Sequence, residues 1–228
     1  VNGISYQIKR GETLAIVGES GSGKTVSALS ILRLVPEPPG KMISGEIFFN
    51  SADLAKLSQK EMRELRGRDI SMIFQDPMTS LNPVLTVGEQ IIETIIRHTP
   101  ATRGEAQKKT VELLRRVDIP SPDEKMKQFP HQLSGGMRQR VMIAIALCCS
   151  PRILIADEPT TALDVLIQAQ MLDLLEQLKR ENKMSILLIT HDLGVVSDIA
   201  QRVMVMYAGE IVESGPVDRL FQSSLHPY

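Results

Sequence analysis

The sequence predicts an α/β fold with a mainly parallel sheet, a small antiparallel β part and an inserted helical subdomain. Apolar runs of strand length alternate with longer helical patterns, which favours parallel strands joined by helices. A glycine-rich turn at residues 18–25 connects one such run to a helical pattern. Between residues 76 and 132 the buried-strand runs stop and amphipathic helical patterns replace them, which predicts the insertion.

Eight segments are predicted as strands, because they are short runs rich in apolar or β-branched residues. The segment 43–50 is interrupted by polar residues, and the segment 209–215 begins and ends with glycine. Since the chain starts without Met inside an apparent strand and stops at a His-Pro-Tyr string, we expect it to be part of a longer polypeptide. The predicted strands are residues 3–8, 14–17, 43–50, 70–74, 153–156, 185–190, 202–206 and 209–215.

The helices are predicted from apolar spacing and from their start and stop signals. The first ends before Pro36, and the pattern from Ser58 to Glu61 is a capping box that opens the second. Three helices of the insertion are separated by Pro- and Thr-rich turns. The predicted helices cover residues 23–34, a short stretch after 58, 87–98, 103–117, 122–128, 137–149, 164–180 and 217–222.

Composition narrows the class of protein. The net charge of -1 gives no indication of bulk attraction to nucleic acid or to an anionic membrane. No apolar run approaches the roughly 20 residues that span a bilayer, so at a membrane another chain would have to supply the spanning part. The two cysteines, Cys148 and Cys149, are adjacent, and we expect small buried hydrophobes in a reducing compartment rather than a disulfide or a metal site.

The string GESGSGKT at residues 18–25 fits the phosphate-loop pattern G-x-x-x-x-G-K-[ST]. A strand, a glycine turn and a helix place backbone N–H groups and the helix dipole around an anion. Lys24 can reach the β- and γ-phosphates, and the Thr25 hydroxyl can bind Mg²⁺. The position between a strand and a helix favours a nucleotide site over a chance match. The predicted ATP-binding residues here are Gly18, Glu19, Ser20, Gly21, Ser22, Gly23, Lys24 and Thr25.

Two carboxylates, Asp157 and Glu158, follow the apolar strand 153–156. In an α/β fold the carboxyl end of such a strand lies at the edge of the sheet where ligands bind. We expect Asp157 to hold Mg²⁺ through water and Glu158 to polarise the attacking water as a general base. Taken alone, the pair could equally be solvated charges at a strand end.

The string LSGGMRQR at residues 133–140 predicts a second helix N-terminus suited to an anion. One nucleotide does not need two such sites in one chain, so we expect a head-to-tail dimer. In that dimer Ser134, Gly135 and Gly136 of one subunit meet the γ-phosphate that the partner's Lys24 holds. A lone Ser-Gly-Gly would be an ordinary helix cap.

With Gln75 before the insertion and His191 after the strand 185–190, the ordered motifs resemble the ATPase subunit of an ATP-binding-cassette (ABC) transporter over nearly the whole chain. Met137, where the family usually has Gln, and the string QDPMTSLNP at residues 75–83 are similar to the oligopeptide, dipeptide and nickel importer branch. By themselves, a Gln before Asp-Pro is usually a turn residue, and a His at a strand end usually a cap or surface residue.

The resemblance implies roles for further residues. Gln75 would contact Mg²⁺ or the attacking water and link nucleotide state to a membrane partner, and His191 would contact the γ-phosphate. Asp164, with Ala162 and Leu163, matches the loop that crosses the dimer interface. The implied catalytic residues are Glu158, His191 and Gln75, and the implied Mg²⁺ ligands are Thr25, Gln75 and Asp157.

The resemblance also implies an organisation and an activity. Residues 1–75 and 151–228 would form the nucleotide-binding core, and 76–150 a helical subdomain ending in the signature helix. The cofactors would be ATP and Mg²⁺. The partners would be a second ATPase subunit, two transmembrane permease subunits at the cytoplasmic face of the membrane and, indirectly, an extracytoplasmic solute-binding protein, with no nucleic acid. The aromatic residue that stacks on adenine is expected upstream of Val1, and Tyr6 is not assigned to that role.

Two alternatives remain beside an importer ATPase for peptides or a related small solute. A soluble ABC ATPase acting on nucleic acid or ribosomes would show a long coiled coil between the motifs, but no heptad run separates Lys24 from Ser134. A P-loop kinase or GTPase would leave the string 133–140 and His191 without a role. For the importer, we expect the membrane subunit to contact a groove between Gln75 and the helix 87–98, near Leu81.

Overall fold

The computed structural model describes residues 1–76, 80–160 and 164–227. The chain divides into two compact units, Val1–Arg66 with Ser185–Tyr228, and Gly67–Met184. Throughout these described ranges, no helix combines the length and the apolar character needed to cross a bilayer.

The elements of the first unit are given in chain order. They are β1 (Thr13–Val17), α1 (Lys24–Ile31), β2 (Phe48–Phe49), β3 (Ala52–Asp53) and α2 (Gln59–Leu65), followed, after the second unit, by β6 (Ser185–Thr190), α8 (Leu193–Ile199), β7 (Arg202–Tyr207), β8 (Glu210–Pro216) and α9 (Val217–Gln222).

The second unit contains two strands and five of the described helices. Its elements are β4 (Ile70–Ile73), α3 (Val87–His98), α4 (Arg103–Arg116), α5 (Pro122–Lys125), a 3₁₀ turn (Pro130–Gln132), α6 (Gly135–Leu147), β5 (Ile153–Asp157) and α7 (Val165–Asn182).

The sheet of the first unit is built around β1. Both β6 and β7 pair with β1 in parallel, and β8 adds to β7 in antiparallel orientation. All five residues of β1 and all six of β6 are buried, as expected for parallel strands covered on both faces. The register sets Val17 opposite Thr190, so the segments that follow these two strands leave the sheet side by side.

In the second unit β4 pairs with β5 in parallel, with Ile73 opposite Ala156. The surrounding helices bury their apolar faces to form its core. Reciprocal capping boxes begin α3 at Thr86 and Glu89 and α4 at Thr102 and Glu105. Large side chains that are fully buried in this unit include Ile70, Ile73, Ile91, Ile95, Leu114, Ile143, Leu154 and Ile155.

Most predicted elements are confirmed, with ends that shift by a few residues. The capping box at Ser58 opens α2, and the predicted helix 137–149 begins two residues earlier, at Gly135. Helix α8 was missed because its seven residues are too few for a clear period. The helices α3 to α6 fall within residues 76–150, while the domain boundaries at 75/76 and 150/151 stay a prediction.

The strand predicted at 3–8 is wrong, since these residues, all of them described, form no strand. Ile4, Tyr6 and Ile8 are half-buried and their neighbours exposed, so the alternation typical of a strand is present. An open groove of about 670 Å³ lies between residues 2–7 and the strands β7 and β8. Alternation alone therefore does not make a strand, because a strand also needs backbone pairing with a neighbour, and a groove separates these residues from β7 and β8.

The strand predicted at 43–50 is wrong over most of its length. Only Phe48–Phe49 is a strand, and it pairs with Ala52–Asp53 in antiparallel orientation. Asn50 and Ser51 both have positive φ, 47° and 69°, as the two central residues of a type I′ turn require. The predicted small antiparallel part is therefore a hairpin of two-residue strands.

Candidate functional site

The glycine loop follows β1 and ends at α1. A Cβ atom at Gly18 would lie 2.1 Å from the backbone oxygen of Met206, so only glycine fits this position. Gly23 has φ 104° and serves as the N-cap of α1, a left-handed conformation that glycine adopts at little cost. These glycines therefore allow the sharp turn of the backbone between β1 and α1.

The loop has the properties of an anion site. Among the residues that the structure describes, no side chain caps the N-terminus of α1, although the first N–H groups of a helix have no partners within the helix. The Ser22 hydroxyl is buried and has no hydrogen-bond partner among the described residues. Lys24 is buried, and its Nζ donates to the carbonyl oxygens of Gly18 and Glu19 at 2.7 and 2.8 Å. These residues fit a phosphate group, whose negative charge the lysine and the helix dipole would stabilise.

His191 lies beside this loop in the sheet order. It follows Thr190, the register partner of Val17, in the tight turn from β6 to α8. Asp192 fixes the turn, because its Oδ1 accepts hydrogen bonds from the backbone N–H groups of Gly194 and Val195 at 2.8 and 3.3 Å. His191 itself is exposed. The first unit thus brings together the predicted loop residues 18–25 and His191.

The second unit brings Gln75 to Glu158. The register of β4 and β5 makes both residues emerge at the same edge, and Gln75 Nε2 donates to Glu158 Oε2 at 3.0 Å. Asp157 ends β5 with only 2% of its surface exposed. Glu158 has a φ of 47°, which is uncommon for a residue other than glycine and is often found at active sites. The neutral amide of Gln75 therefore contacts one carboxylate oxygen of Glu158, and the strained backbone of Glu158 sets the direction of its side chain.

The predicted signature segment is an exposed helix start. Ser134 is the N-cap of α6, and its Oγ accepts a hydrogen bond from the backbone N–H of Met137 at 3.3 Å. Gly135 and Gly136 begin the first turn, where the lack of side chains leaves the N–H groups open to a ligand. Asp164 similarly caps α7 by accepting from the Ile167 N–H at 2.9 Å. Ala162 and Leu163 lie outside the described residues, as do residues 77–79 of the string 75–83.

One contact beside the candidate site was not predicted from the sequence. The side-chain amide of Gln139, on α6, donates a hydrogen bond to the backbone oxygen of Pro159, immediately after Glu158. Gln139 is buried among the apolar positions of α6. A polar residue at such a position is the signal that could have found it, because buried polar groups are nearly always hydrogen-bonded.

An open groove of about 460 Å³ runs along α3 in the second unit. Its walls combine apolar and charged side chains, which come from Leu85, Glu89, Ile92, Glu93, Ile96, Arg97 and Arg103. Leu81, expected to face a groove, is only 3% exposed, whereas Val84 is 76% exposed. Val84 is therefore the better probe of a surface contact.

Tyr6 has the environment of a packed residue. Burial raises the pKa of its hydroxyl, and a hydrogen bond with the Ser27 side chain on α1 acts in the opposite direction. A ring held in this way against the first helix agrees with leaving Tyr6 out of the predicted adenine contact.

Comparison with known proteins identifies the family. The family model described as ABC transporter matches residues 1–161. The oligopeptide transport ATP-binding protein OppD of Bacillus subtilis (strain 168) is 56% identical over 228 residues, which cover 100% of this chain and 64% of that protein. The dipeptide transport ATP-binding protein DppD of the same organism is 55% identical, with 100% and 68% covered. The chain thus spans about two thirds of the length of these relatives.

The fold agrees with a solved cassette. The dimeric post-hydrolysis state of the ATP-binding cassette MJ0796 bound to ADP and Pi superposes with a TM-score of 0.82 at 30% identity, covering 93% of this chain and 88% of that one. The predicted α/β fold and the predicted resemblance are confirmed, and the P-loop kinase and GTPase alternatives are wrong. The chain belongs to the ABC transporter family and has the fold of its ATP-binding cassettes.

Proposed function

We propose that the chain binds and hydrolyses ATP and thereby powers a membrane importer of peptides or a related small solute. The observation that carries the proposal is the ordered set of loop, signature and carboxylate segments on a chain that is 55–56% identical, along its whole length, to an oligopeptide and a dipeptide transport ATP-binding protein.

The residues of the loop 18–25 would hold the nucleotide phosphates, with Lys24 and the α1 N-terminus supplying positive charge. Thr25, Asp157 and Gln75 offer the oxygen ligands that Mg²⁺ prefers. Bound Mg²⁺ would neutralise charge on the phosphates. Glu158 would accept a proton from water, and His191 would help to orient that water. The hydrogen bond from Gln75 supports this role, because it fixes the Glu158 carboxylate without neutralising it.

The exposed start of α6 supports a second subunit. Ser134, Gly135 and Gly136 present an uncovered helix N-terminus, and Asp164 lies at another exposed cap. In a head-to-tail pair these residues would contact the nucleotide of the partner. ATP would then bind the closed pair better than the open one and shift that equilibrium. The solved cassette described above is dimeric, which favours this arrangement.

The surface along α3 supports a membrane partner. Its mixture of apolar and charged side chains suits a polar-rimmed protein interface. Two transmembrane permease subunits would dock there, and the chain would lie at the cytoplasmic face of the membrane. A solute-binding protein would act through the permeases. The alternative of a nucleic-acid or ribosome ATPase is disfavoured by the net charge of -1 and by the transport role in the names of the relatives.

ATP-dependent dimerisation of the Glu158→Gln variant tests the proposal, with light scattering as the readout. The substitution should leave ATP binding intact and stall hydrolysis, so the pair accumulates as a stable dimer. Adding Ser134→Arg should abolish the dimer while each chain still binds ATP. A Glu158→Gln chain that binds ATP and remains monomeric contradicts the composite site.

A further inference from the structure

The two adjacent cysteines form a dithiol on the connection between α6 and β5. Cys148 Sγ and Cys149 Sγ lie 3.7 Å apart. This connection joins the helix that Ser134 begins to the strand that Asp157 ends. The position is therefore outside the proposed nucleotide contacts but directly between two segments that carry them.

The geometry disfavours a disulfide. Adjacent Cα atoms are about 3.8 Å apart across a trans peptide, below the roughly 4.4–6.8 Å that disulfides span, and the sulfurs would have to approach to about 2.05 Å. The distance of 3.7 Å between the two sulfurs instead suits a single atom that is bonded to both of them. Two sulfurs bound at about 2.3 Å to one centre lie about 3.3–3.8 Å apart for bond angles between roughly 90° and 109°, and the observed 3.7 Å falls within that range.

The number of ligands that the site offers decides which kind of atom can bridge the two sulfurs. A structural zinc ion takes four ligands. No group of three or more His, Cys, Asp or Glu residues suited to a metal ion occurs in the parts of the chain that the structure describes. Trivalent arsenic that already carries one carbon substituent needs only two further bonds, and a pair of thiols completes it.

The surroundings favour reaction at Cys149 first. Cys149 is half-buried and Cys148 is fully buried. The hydrogen bond with the Cys148 thiol lowers the pKa of Cys149; partial burial opposes this, and the nearby Lys109 charge adds a smaller lowering effect. The Thr94 carbonyl oxygen, 3.8 Å from Cys149 Sγ, borders the site on the α3 side. Thiolates are the nucleophilic form of cysteine, so Cys149 is the entry point.

We propose that Cys148 and Cys149 are a binding site for monosubstituted trivalent arsenicals. With hydrated phenylarsine oxide, each sulfur–arsenic bond replaces one arsenic–hydroxyl bond. Each thiol proton leaves with a hydroxyl group as water, two waters in all. Arsenic remains trivalent and no group is oxidised or reduced.

The test uses phenylarsine oxide on the reduced protein, with intact mass and a free-thiol count as readouts. This chain has only these two cysteines, so the count within its sequence is unambiguous. We expect one arsenical per chain, loss of both thiols, resistance to excess 2-mercaptoethanol and removal by 2,3-dimercaptopropanol. Cys149→Ser and Cys148→Ala, which each keep one thiol, should bind about 100-fold or more weakly, since the second bond is then no longer intramolecular.

Two variants are used in case one of them fails to fold. Cys149 is only half-buried, so Cys149→Ser should disturb the fold less than Cys148→Ala. An adduct on Cys149 alone, two arsenicals on one chain, or an adduct that 2-mercaptoethanol removes as readily from the wild type as from the variants overturns the proposal. None of these readouts depends on ATP hydrolysis.

Discussion

The buried amide of Gln139 hydrogen-bonds to the backbone oxygen of Pro159, twenty residues further along the chain. Gln139 lies on the helix that Ser134 begins, and Pro159 follows the strained residue Glu158. The signature helix is therefore tied to the turn that aims the proposed general base. In the proposed dimer, a nucleotide of the partner bound at Ser134 would be linked to Glu158 of the same chain through this contact.

We expect Gln139→Met to slow ATP hydrolysis about tenfold with little change in ATP affinity. The substitution keeps the volume but removes the donor, which leaves a buried carbonyl oxygen unpaired at a cost of about 1–3 kcal/mol. The measurement is kcat and nucleotide Kd, with melting temperature alongside. Gln177→Met is the matched control, because the Gln177 amide pairs with Glu181 at an exposed site. A lower melting temperature with unchanged kcat would show that the bond serves stability alone.

Gln75→Glu should move the acid limb of the hydrolysis rate profile to higher pH. A second carboxylate placed 3.0 Å from Glu158 Oε2 disfavours having both groups charged. A general base works only when it is deprotonated, so activity is lost at a higher pH than in the wild type. Profiles of kcat/KM against pH check this, and Gln75→Ala serves as the uncharged comparison. Identical profiles for the two variants would exclude a general-base role for Glu158.

Gly18→Ala should abolish nucleotide binding. Its Cβ atom would lie 2.1 Å from the Met206 backbone oxygen, which cannot rotate away as a side chain could. Titration with a fluorescent ATP analogue measures the loss. Gly104→Ala in the first turn of α4 is the control, since no atom beyond the local helix backbone and the two chain neighbours lies within 4 Å of the added methyl group. Normal binding by Gly18→Ala would mean that the loop is not closed against Met206.

Val84→Asp should uncouple transport from ATP hydrolysis in the assembled transporter. Val84 is 76% exposed near the proposed docking surface, so a charge there changes the surface and spares the core. Leu81→Asp is unsuitable, because burying a charge destabilises the fold itself. Solute uptake and ATPase rate are measured together, with Ile43→Asp, at a 91% exposed site of the other unit, as the control. Uptake equal to that of the wild type would place the permease contact elsewhere.

The C-terminal segment should detach at acid pH. The backbone N–H groups of Leu225 and His226 hold the pKa of Glu213 below its usual range. A depressed pKa means that the contact stabilises the folded segment at neutral pH and is lost as pH falls through the folded value. Amide chemical shifts of Leu225 and His226, followed from pH 7 to acid, report the release. In Glu213→Gln both shifts should lack this transition; a transition that persists there would point to another group.

The sequence by itself determined the local features, whose geometry depends only on residues close together in the chain. The glycine loop, the cap at Ser134 and the capping box at Ser58 were predicted correctly because each is a contiguous string with one local geometry. The parallel strands β1, β5 and β6 were equally readable, since strands buried on both faces appear as unbroken apolar runs.

Only the tertiary structure decided where distant residues meet. Residues 3–8 alternate correctly and still form no strand, because a strand also needs a partner backbone at the right distance. The burial of Leu81 and the contact between Gln139 and Pro159 likewise depend on packing between segments that are far apart in the chain. Local order follows from short-range sterics and hydrogen bonding, whereas these contacts follow from how the helices and strands pack, which no short string encodes.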